Sequence, residues 1–263
     1  MKINCKICTS TSPLFAQGIV LRKYTVSYFK CSNCGFVQAE EPYWLRESYT
    51  QVINRSDIGL VSRNLGMAKV AQSVILRLFD ADAKFIDYGG GYGLFVRLMR
   101  DYGFDFYRYD KFCDNIFAQG FDADTTSDTR YELLTAFEVF EHLQDPIAEL
   151  EQILILSDNI LFTTMLLPRK TPKLDVWSYY GLEHGQHLSF YTVPALSIIA
   201  KRFSLRFLSD GTSIHLLTKN NISPLRFRLL IKAHYLTAFL EGLWVRKSLI
   251  PSDYKRLTGK DPS

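Results

Sequence analysis

No stretch of this 263-residue sequence reaches the 18 or more consecutive apolar residues that a membrane-crossing helix requires. The opening residues, MKINCKICTSTSP, also lack the apolar core of a secretory signal. Internal repeats and low-complexity tracts are absent, which argues against a repeat array or a mostly disordered chain. The charge is nearly balanced, with 31 basic and 27 acidic residues, so the body is no electrostatic glove for nucleic acid. Cysteine is scarce, five in all. These shortages together predict a cytoplasmic chain. In that reducing setting, paired cysteines read as metal or redox sites rather than disulfides.

Apolar residues make up 47% of the chain, enough for one good-sized α/β domain with a small appendage. Three segments are expected: a cysteine-bearing, turn-rich stretch at 1–42, an α/β core at 43–220 and a basic helical tail at 221–263. Within the core, helix-like and strand-like patterns alternate, which predicts a mostly parallel sheet closed by an antiparallel pair. Strands are expected at 84–88, 104–110, within 131–143, at 159–166, 205–210 and 213–219. Helices are expected at 66–80, 93–103, 145–157 and 192–203. Asp145 is the expected N-cap of the third helix, with Pro146 in its first turn.

The stretch FIDYGGGYGLF (85–95) puts four glycines into five positions after an apolar run. Each glycine costs roughly 0.5–1 kcal/mol against alanine in regular structure, so something must approach this backbone closely. The dinucleotide spacing G-x-G-x-x-G fails, because Leu94 stands in the third place. No Lys-Ser/Thr follows, which excludes a phosphate-gripping P-loop. The spacing present is D-x-G-x-G-x-G: Asp87, Gly89, Gly91 and Gly93. It resembles the first motif of the class I S-adenosylmethionine-dependent methyltransferases. In that family an acid ending the second strand binds the ribose hydroxyls, and Asp110 falls there, 17 residues past Gly93. LLTAFEVFEHLQDP (133–146) resembles the fourth-strand motif of the ubiquinone-biosynthesis methylases. The resemblance implies a Rossmann-like, seven-stranded sheet, bound S-adenosylmethionine, and Glu138 at the methionine end of the cofactor. His142, in the same motif, reads as an orienting residue.

Cys5-x-x-Cys8 and Cys31-x-x-Cys34 have 22 residues between them. Each pair folds into a knuckle that aims two sulfurs at one ion, and two knuckles complete a tetrahedron. Four thiolates describe a closed, structural Zn²⁺ site in a zinc ribbon. Residues 1–42 carry a charge of +3, and a four-thiolate zinc centre lowers this to about +1, thin for gripping a phosphate backbone. Cys113 is left over and is expected to be a thiol without a role. A zinc-binding module ahead of such a core resembles the sugar C-methyltransferases, and also a group of ribosomal RNA methyltransferases.

Methyl transfer to a hydroxyl or an acidic C–H needs a base beside the acceptor. The aromatic loop DVWSYYGLEHGQHLSFYT (175–192) holds Glu183, His184 and His187. Alignment on HLSFY places His187 on the catalytic histidine of the sugar C-methyltransferases. The residue before it is Gln186, where that family has glutamate. Glutamine can orient an imidazole but cannot offset its charge, so O-methylation stands beside C-methylation. Glu183 and His184 form a second candidate dyad. Tyr49 and Arg63 are expected contacts over the cofactor.

The tail carries eight basic and three acidic residues from Asn221 onward, with Leu225, Leu229, Leu236, Leu240 and Leu243 near heptad spacing. It is expected either to dock on the protein's own core or on a second subunit, or to lie peripherally at the inner membrane surface. The expected function is methylation of a small molecule, a sugar or glycan precursor, with nucleic acid not expected as a partner. An RNA methyltransferase, a quinone-type methylase and a non-catalytic cofactor-binding scaffold remain as alternatives.

Overall fold

The computed structural model describes residues 1–50, 57–125, 128–237 and 246–262. In chain order the strands are β1 (Lys2–Asn4), β2 (Thr11–Val20), β3 (Tyr24–Lys30) and β4 (Val37–Ala39), then helices α1 (Leu45–Ser48) and α2 (Leu60–Leu78). There follow β5 (Lys84–Tyr88), α3 (Leu94–Asp101), β6 (Asp105–Tyr109), β7 (Leu133–Ala136), α4 (Pro146–Leu156) and β8 (Asn159–Thr163). The remainder comprises β9 (Ser189–Phe190), α5 (Val193–Arg202), β10 (Arg206–Ser209), β11 (Ile214–Thr218), α6 (Pro224–Thr237) and α7 (Ile250–Thr258).

Two sheets result, with strand orders β1-β2-β3-β4-β9 and β10-β11-β8-β7-β5-β6. In the second, β5 pairs in parallel with β6 on one side and β7 on the other. The strand order therefore reverses at β5, and ligands of such sheets bind beyond the carboxyl end of the strand at that switch. The glycine turn follows β5 directly. Every residue of β7, β8 and β11 is buried, as befits strands covered on both faces. β10 and β11 close the sheet antiparallel. This is the expected Rossmann-like arrangement with one difference. Among the described residues, a single parallel bridge, Arg108 to Asp122, stands where a seventh strand is expected. The segment around it, DNIFAQGFDADTT, is rich in Asp, Asn and Gly, which resist extended pairing.

Two compact units emerge from the contacts, each assembled from three stretches. The first comprises 1–56, 138–154 and 162–219, and the second 57–137, 155–161 and 220–263. In the first, the five-stranded sheet packs Val20, Val26, Tyr28, Val37 and Trp44 against Leu174, Tyr180, Leu188 and Phe190 of the later loop. The loop that carries the histidines is therefore part of the core of the cysteine-bearing sheet.

In the second unit, the described parts of the tail are docked. Arg100 grips Asp253 of α7 bidentately, Nε to Oδ2 at 2.8 Å and a terminal nitrogen to Oδ1 at 2.7 Å. Both side chains are buried, so breaking this pair strands a charge and is costly. Phe227, Leu230 and Ile231 of α6 are buried, while Leu225 and Leu229 are exposed. The side chains of Leu236, Leu240 and Leu243 lie outside the described residues. Among the described residues, no helix is long and apolar enough to cross a membrane.

Candidate functional site

The glycine turn is fastened to the end of β6. Gly89 and Gly90 amides both donate to the Tyr109 carbonyl, at 2.8 and 3.2 Å. Asp110 Oδ2 accepts the Gly91 amide at 2.9 Å, while Oδ1 accepts the amides of Phe112 and Cys113 at 2.7 and 2.8 Å. A carboxylate has about four acceptor sites, so Asp110 holds the turn together and keeps capacity for about one further donor. Arg108 Nε donates to the Gly91 carbonyl at 2.6 Å from beneath.

The glycines serve different ends. Gly91 has φ +53° and nothing within 4 Å of where a Cβ would stand, so open space lies over it. That is the exposed backbone a flat cofactor needs. At Gly90 a Cβ would meet Asp87 Oδ2 at 2.8 Å, and at Gly93 the Asn115 Oδ1 at 2.6 Å. Those two are demanded by the chain's own packing. Asp87 is buried and accepts Thr135 Oγ1 at 2.6 Å. Burial pushes its carboxyl up to about 7.

Glu138 belongs to the first unit. Its amide donates to Thr163 Oγ1 at 2.8 Å, and that hydroxyl donates to Glu138 Oε1 at 2.8 Å. This reciprocal pair holds Glu138 at φ +54°, a conformation that a glutamate seldom adopts and that concentrates at functional sites.

The four expected cysteines converge. Cys5 and Cys34 sulfurs are 3.7 Å apart, Cys8 and Cys31 3.4 Å, and Cys8 and Cys34 3.6 Å. Tetrahedral Zn–S bonds of about 2.3 Å put sulfurs about 3.8 Å apart, so the cluster fits that ion. Amides of Ile7 and Asn33 point at Cys5 and Cys31 sulfurs, each at 3.4 Å. Cys113 lies elsewhere, half-buried, with its thiol pushed up to about 11 by burial.

The loop from Trp177 to Leu188 is pinned to this module. The Gly185 carbonyl accepts Trp44 Nε1 at 2.8 Å and Ser48 Oγ at 3.3 Å. Gly185 has φ +66°, and a Cβ there would meet Val20 Cγ1 at 2.5 Å, so only glycine fits. Gln186 Nε2 donates to the Ser48 carbonyl at 2.8 Å. That glutamine is a structural bolt, which accounts for an amide where the resemblance calls for an acid.

His187 Nδ1 lies 2.6 Å from the Tyr179 carbonyl. A carbonyl only accepts, so Nδ1 carries the hydrogen and Nε2 keeps its lone pair. His184 Nδ1 accepts the Gln186 amide at 3.2 Å, so its lone pair there is engaged. The His184, His142 and His187 rings cluster, with centroids 4.7 Å (184 to 187) and 4.9 Å (142 to 187) apart. Glu183 is exposed. Burial holds His187 well below its ordinary pKa and His142 down to about 4, with a neighbouring histidine adding to each. Both are neutral imidazoles at neutral pH. Tyr49 meets His142, hydroxyl to Nδ1 at 3.1 Å. Arg63 instead forms a bidentate pair with Asp57, at 2.8 and 2.7 Å.

Sequence reasoning passed over Glu141. It is 0% exposed, and neither carboxylate oxygen has a hydrogen-bond partner. Burial pushes its carboxyl up to about 8, with Glu138 adding. Its backbone carbonyl accepts the Leu188 amide at 2.7 Å, and Ser189 Oγ donates to the Leu143 carbonyl at 2.7 Å. The turn at 140–142 is thus laced to β9 and held beside His187. The available signal was two acids three residues apart in FEVFEH.

A family model described as a methyltransferase domain matches residues 64–209. No curated protein matches the chain. Among solved structures, similarity extends to CalO1, a methyltransferase in calicheamicin biosynthesis, with S-adenosylhomocysteine bound. Identity is 15%, the TM-score 0.43, and the match covers 66% of this chain and 61% of that one. The plantazolicin methyltransferase BpumL, with a monoazolic desmethyl analogue and S-adenosylhomocysteine, is 14% identical at a TM-score of 0.46, covering 74% and 84%. An O-methyltransferase family 2 protein from Planctomyces limnophilus, in complex with apigenin, is 13% identical at a TM-score of 0.43, covering 67% and 65%.

Proposed function

The chain belongs to the methyltransferase-domain family and is an S-adenosylmethionine-dependent methyltransferase; on that premise we propose that it methylates a small-molecule acceptor, a sugar or glycan precursor, at oxygen or carbon. The observation that carries this reading is His187, with Nδ1–H anchored on the Tyr179 carbonyl and Nε2 left as a lone pair. When bound, S-adenosylmethionine supplies a methyl group on a sulfonium. Asp110 and the Gly91 backbone would hold the cofactor's adenosyl end. His187 Nε2 takes the proton from an acceptor hydroxyl or acidic C–H. Its low basicity calls for a nearby ionisable group, and Glu141, a buried carboxyl whose oxygen lies within 4.8 Å of a His187 ring nitrogen, is placed to share that proton. The buried Gln186 cannot do so.

Cys5, Cys8, Cys31 and Cys34 hold a structural Zn²⁺. The module they form carries the walls of the histidine loop through Trp44, Ser48 and Val20. That supporting role, together with its small charge, favours a scaffold for the acceptor loop over an RNA clamp.

The test is transfer of labelled methyl into a cell extract fractionated into nucleotide sugars, polar lipids, quinones and RNA. Label in the sugar or glycolipid fraction supports the proposal. Label in RNA or quinones replaces the acceptor class. Tight cofactor binding with no label in any fraction favours a non-catalytic scaffold.

A further inference from the structure

We infer that Glu141, His142 and His187 form a second divalent-cation site, chemically distinct from the four cysteines, whose open positions take an oxygen of the methyl acceptor. The second half of that statement rests on the methyltransferase reading; the first does not.

The donor atoms of these three side chains all lie within 4.8 Å of one another. Neighbouring ligands on bonds of about 2.1 Å stand about 3.0–3.4 Å apart in octahedral or tetrahedral geometry, so an ion would draw the farthest of these donors in by somewhat over an ångström. His187 is turned for it: its Nδ1 is tied to the Tyr179 carbonyl at 2.6 Å, which leaves Nε2 to ligate, the arrangement by which second partners fix a histidine on a metal. His142 Nδ1 faces the Tyr49 hydroxyl at 3.1 Å, and its ring also meets the Gln186 backbone, a bond an ion would replace.

Glu141 supplies the independent argument. A fully buried carboxylate with no partner on either oxygen is expensive to maintain. The two nearest hydroxyls, Thr164 Oγ1 and Tyr179 Oη, are bonded to each other at 3.1 Å and leave one hydrogen between them for Glu141, so its two oxygens keep capacity for a cation. A cation beside the two imidazoles is what this carboxylate lacks. Two imidazoles and one carboxylate suit Zn²⁺, Mn²⁺, Fe²⁺ or Co²⁺. Three protein ligands leave coordination positions open, and an acceptor hydroxyl there would be oriented and made more acidic. His187 would then act as a ligand, which replaces the general-base role proposed for it while leaving the methyltransferase reading in place.

The experiment is metal stoichiometry on the full chain, saturated in turn with Zn²⁺, Mn²⁺ and Co²⁺ and freed of excess ion. Wild type should hold two equivalents. Glu141→Gln and His187→Asn should each hold one, with the thiolate–cobalt absorption of the cysteine site and the circular dichroism unchanged. A wild-type protein that holds only one equivalent with every ion overturns the site. So does a second equivalent that survives both substitutions. Methyl transfer that persists when only the cysteine ion remains overturns the acceptor contact and leaves the methyltransferase reading intact. Two equivalents without transfer to any acceptor upholds the cation site and removes the acceptor reading.

Discussion

Thr192 Oγ1 donates to the Cys34 carbonyl at 2.5 Å and accepts the Ala195 amide at 3.1 Å. One hydroxyl therefore joins the second cysteine knuckle to the N-terminus of α5. Thr192→Ala removes an N-cap and a second hydrogen bond together. It should destabilise the protein by about 1–2 kcal/mol, read from urea denaturation, and Thr192→Ser should restore most of that. Equal stability for Ala and Ser would mean that the hydroxyl is not what joins the knuckle to the helix.

The cysteine module also sets the order of the histidine loop. If the cysteines hold the proposed Zn²⁺, a chelator that strips it from Cys5, Cys8, Cys31 and Cys34 should loosen Trp44 and Ser48, which hold the Gly185 carbonyl. Amide exchange over residues 181–188 should then rise while protection of β5 to β7 persists. Unchanged exchange in that loop would make the module an independent appendage.

Asp110 carries two tasks, and substitution separates them. Asp110→Asn keeps one acceptor oxygen and loses the charge, whereas Asp110→Ala frees the amides of Gly91, Phe112 and Cys113. Both should weaken S-adenosylhomocysteine binding, Asn by about tenfold and Ala by more, measured by calorimetry. Only Ala should also lower thermal stability. Wild-type affinity in both variants would remove Asp110 from the cofactor site.

The central strands were legible because apolar runs and glycine breaks are local signals. KFIDY forms β5 to the residue, and Asp145 caps α4 through Oδ1, accepting the Ile147 and Ala148 amides at 3.1 Å. The cysteine cluster was legible because two knuckles are each encoded within four residues. Glu141 was not. Its meaning depends on β9 drawing residues 140–142 against 187–189, an approach across more than forty positions that no short window contains. Gly90 and Gly93 were legible as necessary but not as to why, since Asp87 and Asn115 fill their Cβ positions only in the folded chain.

Asp87 gives the stability a definite slope with pH. Its carboxyl is raised by burial from an ordinary 3.8 to about 7, so between these values the folded state holds a proton that the unfolded state has lost. Its contribution is complete below pH 4 and disappears as pH rises through 7, at up to about 1.4 kcal/mol per pH unit. Asp87→Asn keeps an acceptor for Thr135 and cannot ionise. The melting temperature of the variant relative to wild type should therefore climb from pH 5 to pH 8. A difference that stays flat would show that Asp87 is ionised in the folded protein throughout.

His187 is the residue on which turnover should depend most. His187→Asn preserves a polar side chain and a donor toward the Tyr179 carbonyl but removes the Nε2 lone pair. Loss of a general base lowers turnover by about 10²–10⁴-fold, and the loss should fall on kcat, with S-adenosylhomocysteine affinity unchanged. His184→Asn should cost much less, because its Nδ1 already accepts the Gln186 amide. Glu141→Gln should lower kcat as well, since it removes the ionisable carboxyl beside His187, whether that group shares a proton or holds a cation. Single-turnover kinetics on the three variants separate these roles. A His187→Asn enzyme within threefold of wild type would transfer the base to another group and leave His187 a wall of the loop.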